Sequence, residues 1–382
     1  MGEVVAAPWG GHVVTSYDLC DYVLRAREDW LEPDSAWRRR QPESTRWSSP
    51  SSTEMSRTLP ALNGLAHARV RRSAGGMFDR STIDELQAPV TVITRKLLDR
   101  LEEQLHSMGG GVADLHSVVS EELPVATIGH WLNLPQADLP LLRDLTRDMV
   151  YTQELLPSAS QLALSDRAVA QLRLYFLTLV AERRRDRGDD PVSRWITAWD
   201  EIEDDQQAAD EEVYHLALFV LLAALETTAT MLSQAVLTLL GHEWQWRYLT
   251  RHPEGVPGAV EEALRYDPPT HVVTRVARTD TSLAGVDIRT DETVHLMVAA
   301  AGRDQSRHQD ADSFNIHRPN QGHLAFSSGI HYCLGAPLAR LEAQTLLHGL
   351  LRRFPRLSLA RTPQWAPRVV FRRPRSLHVA LA

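Results

Sequence analysis

From His215 to Leu240 the chain is largely apolar and long enough to cross a bilayer. Glu226 lies near the middle of that stretch, among Thr227, Thr228 and Thr230, with Ser233 and Gln234 close behind. A carboxylate at the bilayer centre costs on the order of 3 kcal/mol on insertion scales. The uninterrupted apolar run, Leu216 to Leu225, is only ten residues long. The segment therefore reads as a helix buried through the middle of a large protein, with an acid and an alcohol carried inside it. At 382 residues, 43% of them hydrophobic and 24% charged, the chain can bury a core of that size, and nothing in it suggests disorder.

The surrounding pattern is mainly helical. Helices are expected over His67–Arg72, Val90–Ser107, Leu115–Leu132, Leu139–Tyr151 and Asp166–Arg187, the last broken by Asp189-Asp190-Pro191. Another runs from near Asp210 to Leu240 and stops at Gly241. Glu243–Arg251 and Gly258–Tyr266 follow, the second ended by Pro268-Pro269. Val272–Ala277, Ser282–Ala284, Val286–Ile288 and Thr293–Val298 then read as short strands. Ala336–Phe354 is helical again, and Leu357–Leu359, Val369–Arg372 and Leu377–Leu381 read as strands. The Ser- and Pro-rich stretch Gln41–Thr53 reads as a loop. No repeat or linker divides the chain, so the expectation is a single mainly α domain over residues 1–382 with a small β region.

A net charge of -8 gives no overall attraction to nucleic acid. Bases are uneven: Arg352, Arg353, Arg356, Arg361, Arg368, Arg372, Arg373 and Arg375 fall in one acid-free segment, either a docking patch or a solvated surface. The two cysteines, Cys20 and Cys333, cannot form a disulfide framework for a chain this long. With no signal-peptide pattern at the N-terminus, a reducing cytoplasmic setting is expected.

Cys333 sits in Phe326-Ser327-Ser328-Gly329-Ile330-His331-Tyr332-Cys333-Leu334-Gly335, followed by Ala336-Pro337-Leu338-Ala339-Arg340. Gly329 and Gly335 let the backbone approach something flat. Pro337 suits a first helical turn, which puts Cys333 just before a helix N-terminus, where free N–H groups stabilise a thiolate. Such a thiolate is either a ligand for a soft metal or a nucleophile. A lone cysteine is ordinarily a buried apolar thiol, and zinc is disfavoured because no CxxC or Cys/His cluster supplies partners.

This stretch resembles the haem-binding loop of the cytochromes P-450, Phe-x-x-Gly-x-His-x-Cys-x-Gly, and continues as that family does through Arg340. The resemblance implies the cytochrome P-450 fold, a triangular prism with a long central helix over the haem. It implies haem b with Cys333 as axial ligand, its thiolate favouring O–O cleavage, and Phe326 and Gly335 as parts of the haem loop. Further landmarks follow in family order. Glu262-Ala263-Leu264-Arg265 matches the Glu-x-x-Arg helix, and by resemblance Arg318 joins Glu262 and Arg265 in a buried structural network. His67 and Arg71, one turn apart, with Arg275 and His331, occupy positions that contact haem propionates. Ala223 to Thr228 resembles the oxygen-binding stretch of the central helix. There Thr227 would hydrogen-bond dioxygen or an ordered water, and Glu226 would connect that water to solvent for proton delivery. Two departures stand out: Ala224 replaces the usual Gly, and almost nothing precedes the strand-like Val13–Asp18, so a shortened N-terminal region is expected.

The implied activity is monooxygenation of a small organic molecule, expected to be natural-product tailoring, with hydroxylation as default. Oxidative coupling and ring formation stay open, as does a haem-bearing sensor or recruiting domain that no longer turns over. No flavin or nicotinamide motif is present, so electrons would come from a ferredoxin or flavodoxin with its reductase. That donor is expected to dock near Arg69, Arg72, Arg340 and the arginine-rich tail. No nucleic acid or membrane partner is expected.

Overall fold

The computed structural model describes residues 3–106, 111–319 and 322–381. The chain divides into two compact units, each discontinuous in sequence. The first comprises Met1–Trp30, Gln87–Pro124 and Thr227–Ala382, and the second Leu31–Leu86 and Val125–Glu226. The central helix, Gln206–Gly241, contributes to both. Its apolar window is 78% buried, as expected for a helix whose side chains are apolar on nearly every face. The accessible residues of its middle part are Phe219, Ala223, Ala224 and Thr227, which recur at helical spacing along one stripe.

In the first unit, Val4–Ala6, His12–Val14, Thr293–Met297 and Val272–Ala277 lie side by side in that order within a five-stranded sheet. His12–Val14 runs parallel to Thr293–Met297, and the other two pairings are antiparallel. Buried Val14, Val23, Leu24, Val294, Leu296 and Leu324 form a core on this sheet. Cys20 belongs to that core: it is fully buried, its thiol donates to the Val14 carbonyl at 3.6 Å, and burial pushes its pKa up to about 12. A second, three-stranded sheet pairs His378–Leu381 with both Val112–Asp114 and Leu357–Leu359.

The second unit is helical. Ala159–Arg185 opens on a capping box formed by Ser158 and Gln161. Trp131, Trp195, Trp199, Phe176 and Tyr214 supply its largest buried side chains, with Trp131 edge-on to Trp195 at 6.2 Å.

Glu243–Arg251, Val272–Ala277, Val286–Ile288 and Leu357–Leu359 have the expected bounds. Elsewhere the structure corrects the reading. Gln41–Thr53 is not a loop throughout: Thr45–Ser48 is a helix and Pro50–Met55 another, because Ser44 and Ser49 act as caps, accepting from the Trp47 and Ser52 N–H groups. Pro191 ends one helix region but also begins Pro191–Asp200, with Asp190 as its cap. Val13–Asp18 stops being a strand at Val14, since Tyr17 starts the helix Tyr17–Arg25, and the strand Val4–Ala6 precedes it. Val369–Arg372 forms no strand; only Phe371 bridges to Thr270. The helix expected from Val90 begins at Arg80 and carries Pro89 inside it, while its expected end, Ser107, lies outside the described residues. The expected helix Leu115–Leu132 contains a π-helical turn, His116–Ser120.

One buried histidine makes the stability of this fold sensitive to acid. His308 is 1% exposed and packs edge-on against Tyr17 at 5.8 Å. Burial, and then the charges of Arg265, Arg307 and Arg318, push its pKa from 6.5 down to about 4. The folded protein therefore holds it neutral while the unfolded chain takes up the proton first. Its contribution is present above pH 6.5 and is lost as the pH falls towards 4, by about 3 kcal/mol at most. Urea midpoints measured across that window are expected to fall less steeply for His308→Phe than for the native protein. Parallel curves would remove His308 from the acid response.

Candidate functional site

The cysteine loop is built by turns rather than by a ladder. Gly329 has φ +67, and a Cβ there would lie 2.8 Å from the Leu24 carbonyl oxygen, so only glycine fits. Gly329–His331 makes one 3-10 turn, and the Tyr332 N–H returns to the Gly329 carbonyl. The Cys333 N–H donates to the Phe326 carbonyl at 2.9 Å. Gly335 then caps the 18-residue helix Ala336–Arg353, with Pro337 in its first turn. Cys333 is exposed where Cys20 is buried. The same residue type is thus an inert core thiol in one place and an accessible one beside a helix N-terminus in the other.

Glu262 and Arg265 meet as their i,i+3 spacing implied, and Arg318, which only the resemblance placed with them, joins them. Arg265 donates Nε to Glu262 Oε2 and Nη2 to Oε1, both at 2.8 Å, and Arg318 Nε reaches Oε1 at 3.2 Å. The Asn315 N–H adds a fourth bond to this carboxylate, at Oε1 and 2.8 Å. Arg265 also donates to the carbonyls of Gly302, Ala311 and Ser313, and Arg318 to those of Gln309, Asp310 and Ser313.

Arg275 lies on the strand Val272–Ala277, 3% exposed, and donates to the Thr274 carbonyl at 3.0 Å. With Thr227, Phe326, His331, Cys333 and Gly335 it belongs to the first unit. His67, Arg71 and Glu226 belong to the second. His67 and Arg71 share one face of the helix Gly64–Gly75. Burial, and then Arg71, hold the His67 imidazole below its usual pKa. On the central helix Glu226 is buried, whereas its neighbour Thr227 lies on the accessible stripe.

Several of the arginines expected to form a docking face are engaged. Arg69 pairs with Glu203 at 2.8 Å and stacks over Trp199. Arg353 pairs with Asp99 and Glu102, Arg373 with Glu121, and Arg372 lies over the Trp365 ring at 4.2 Å. Arg340 is bound by Glu261. Sequence reading missed Glu261 and its other partner His323, because the three are 62 and 79 residues apart and carry no local pattern.

The family model for cytochrome P450 matches residues 256–368, which contain both the Glu262 network and the cysteine loop. The polyketide biosynthesis cytochrome P450 PksS of Bacillus subtilis (strain 168) is 31% identical over 83% of this chain and 76% of its own length. The chain belongs to the cytochrome P450 family. Erythromycin C-12 hydroxylase of Saccharopolyspora erythraea is 35% identical over 77% of this cytochrome P450 and 72% of its own length. Among solved structures, P450BioI in complex with a hexadec-9Z-enoic acid ligated acyl carrier protein superposes with a TM-score of 0.87 at 30% identity, covering 97% of this chain and 92% of that one. This cytochrome P450 is a monooxygenase, and its family uses haem with cysteine thiolate ligation.

Removing the charge on Glu262 would leave the buried Arg265 guanidinium, and the half-buried one of Arg318, without their carboxylate. Glu262→Gln is expected to lower the unfolding free energy by about 3–5 kcal/mol. A loss well under 1 kcal/mol in denaturant titration would show that the carbonyl contacts suffice.

Proposed function

We propose that Cys333 is the axial thiolate of haem b and that this enzyme oxidises a medium-sized, partly apolar natural product, with hydroxylation as its default reaction. The observation that carries this reading is the cysteine loop: an accessible thiol, held by a turn, at the N-terminal end of an 18-residue helix. The donor set suits haem. Among the described residues no group of three or more His, Cys, Asp or Glu is placed to hold a metal ion, whereas a single thiolate suffices for an iron that brings its own ring of nitrogen ligands.

When bound, haem supplies the redox chemistry that activates dioxygen. The chain supplies the environment. The helix N-terminus favours the thiolate form of Cys333 Sγ. His67, Arg71, Arg275 and His331 are the residues that would hold the haem propionates, the arginines by charge-assisted bonds. His67, whose pKa burial and Arg71 lower, would add an imidazole N–H to the same carboxylates. Phe326 and Gly335 shape the loop against the ring. Thr227 Oγ1 holds an ordered water at the accessible stripe, and the Glu226 carboxylate exchanges its proton with solvent. Glu262, Arg265 and Arg318 keep the segment before the cysteine loop in place.

Relatives named for polyketide biosynthesis and for erythromycin hydroxylation support the substrate class. Electrons come from an external ferredoxin or flavodoxin with its reductase, in the cytoplasm, and the two units act as one functional domain.

The reduced holoprotein exposed to carbon monoxide is expected to give the strongly red-shifted Soret band of thiolate-bound haem, and Cys333→Ser to lose it. A haem spectrum without that shift in the native protein would overturn the ligand assignment. Thr227→Ala is expected to keep the band but to consume reductant with a several-fold lower yield of product. Unchanged coupling would remove Thr227 from proton delivery.

A further inference from the structure

Glu261 and Glu262 are adjacent on the helix Val256–Tyr266, so their side chains leave it about 100° apart. Glu262 serves the Arg265–Arg318 network. Glu261 instead receives the guanidinium fork of Arg340, Nε to Oε1 at 2.7 Å and Nη2 to Oε2 at 2.9 Å. His323 Nε2 lies 3.3 Å from the same Oε2. His323 Nδ1 lies 3.2 Å from the Ala325 backbone nitrogen. Burial opposes ionisation of Glu261, but the bonds and charges of Arg340 and His323 outweigh it and hold its pKa at about 2.

Arg340 is the link to the cysteine. Its guanidinium lies over the Phe326 ring at 4.6 Å, and Nη1 is 3.5 Å from the Tyr332 hydroxyl. The Phe326 ring is also flanked by His323 at 5.8 Å and Tyr332 at 6.5 Å. Phe326 is the residue whose carbonyl accepts the Cys333 N–H. A continuous path therefore runs from Glu261 through Arg340 to the Phe326 ring and backbone, and so to Cys333.

We propose that Glu261 is a positioning residue for the cysteine loop, clamping it through Arg340 and Phe326 and balancing the Arg340 charge behind the thiolate. The proposal rests on Cys333 being the haem ligand. The loop has few backbone bonds of its own, so a bidentate ion pair that seats a ring against it restrains it directly. The pair is neutral as a unit. Without the Glu261 charge, the Arg340 cation faces the loop uncompensated, which favours the more electron-rich form of the thiolate-bound iron and raises its reduction potential.

The test uses holoprotein, chemically reduced, without any partner protein. Glu261→Gln is expected to show the red-shifted carbon monoxide band when fresh. Its reduction potential should move positive, and the band should convert to the unshifted form several-fold faster than in the native protein. Glu261→Asp is expected to restore both in part. The double variant E261M/R340M removes both charges, so its potential should return towards the native value while conversion stays fast. An unchanged potential and conversion rate in Glu261→Gln would overturn the proposal and leave the Cys333 assignment standing. A native protein without the band would instead fail the assignment itself. If Glu261→Gln takes up no haem, Arg340→Lys decides: it keeps the charge and loses the fork, so conversion should quicken at an unchanged potential, and a native rate would overturn the clamp.

Discussion

One buried carboxylate, Glu262, organises the part of the chain that regular structure does not reach. Between Gly302 and the helix at Ala336, the described residues hold only turns and one short 3-10 segment. Their carbonyl groups cannot pair along a ladder, and buried carbonyls left unpaired are costly. Arg265 and Arg318 supply the donors, reaching Gly302, Gln309, Asp310, Ala311 and Ser313 between them. Two guanidinium groups in a buried place need a counter-charge, and Glu262 is that charge. Gln245 adds a neutral clasp, donating to the Phe314 carbonyl and accepting the Ile316 N–H. Everything downstream, including the cysteine loop, starts from this anchored segment.

The two cysteines show how far environment sets chemistry. Cys20 lies among Val14, Val23 and Leu24, where desolvation keeps the proton on sulfur. Cys333 stands exposed just before the start of a helix, out of any apolar core. Composition counts them alike. The chain separates their roles by placing one in a sheet-backed core and the other on a glycine-dependent turn.

Strong local patterns were legible in advance. The central helix, the Glu262–Arg265 pair and the cysteine loop each rest on spacing within a few residues, and such spacing survives folding. The misreadings share a cause. Ser44, Ser49, Asp190 and Pro191 have loop-like chemistry, but in the structure each caps or opens a helix, since a capping side chain needs the same polar atoms that a turn does. Val369–Arg372 has strand-like residues, but its bonds to Pro269 and His271 and its one bridge to Thr270 are too short a contact to extend into a ladder.

The sequence by itself determined the family, the mainly helical architecture and the cysteine motif, because each is written in contiguous or periodic residues. Tertiary structure alone decided which charges are spent. Arg340, Arg353 and Arg373 read as free bases in the chain, yet each meets an acid between 79 and 254 residues away. It also decided that adjacent Glu261 and Glu262 serve different segments, and that Thr227 lies on an accessible stripe beside a buried Glu226. Coulomb and hydrogen-bond partners depend on distance in space, which local sequence does not encode.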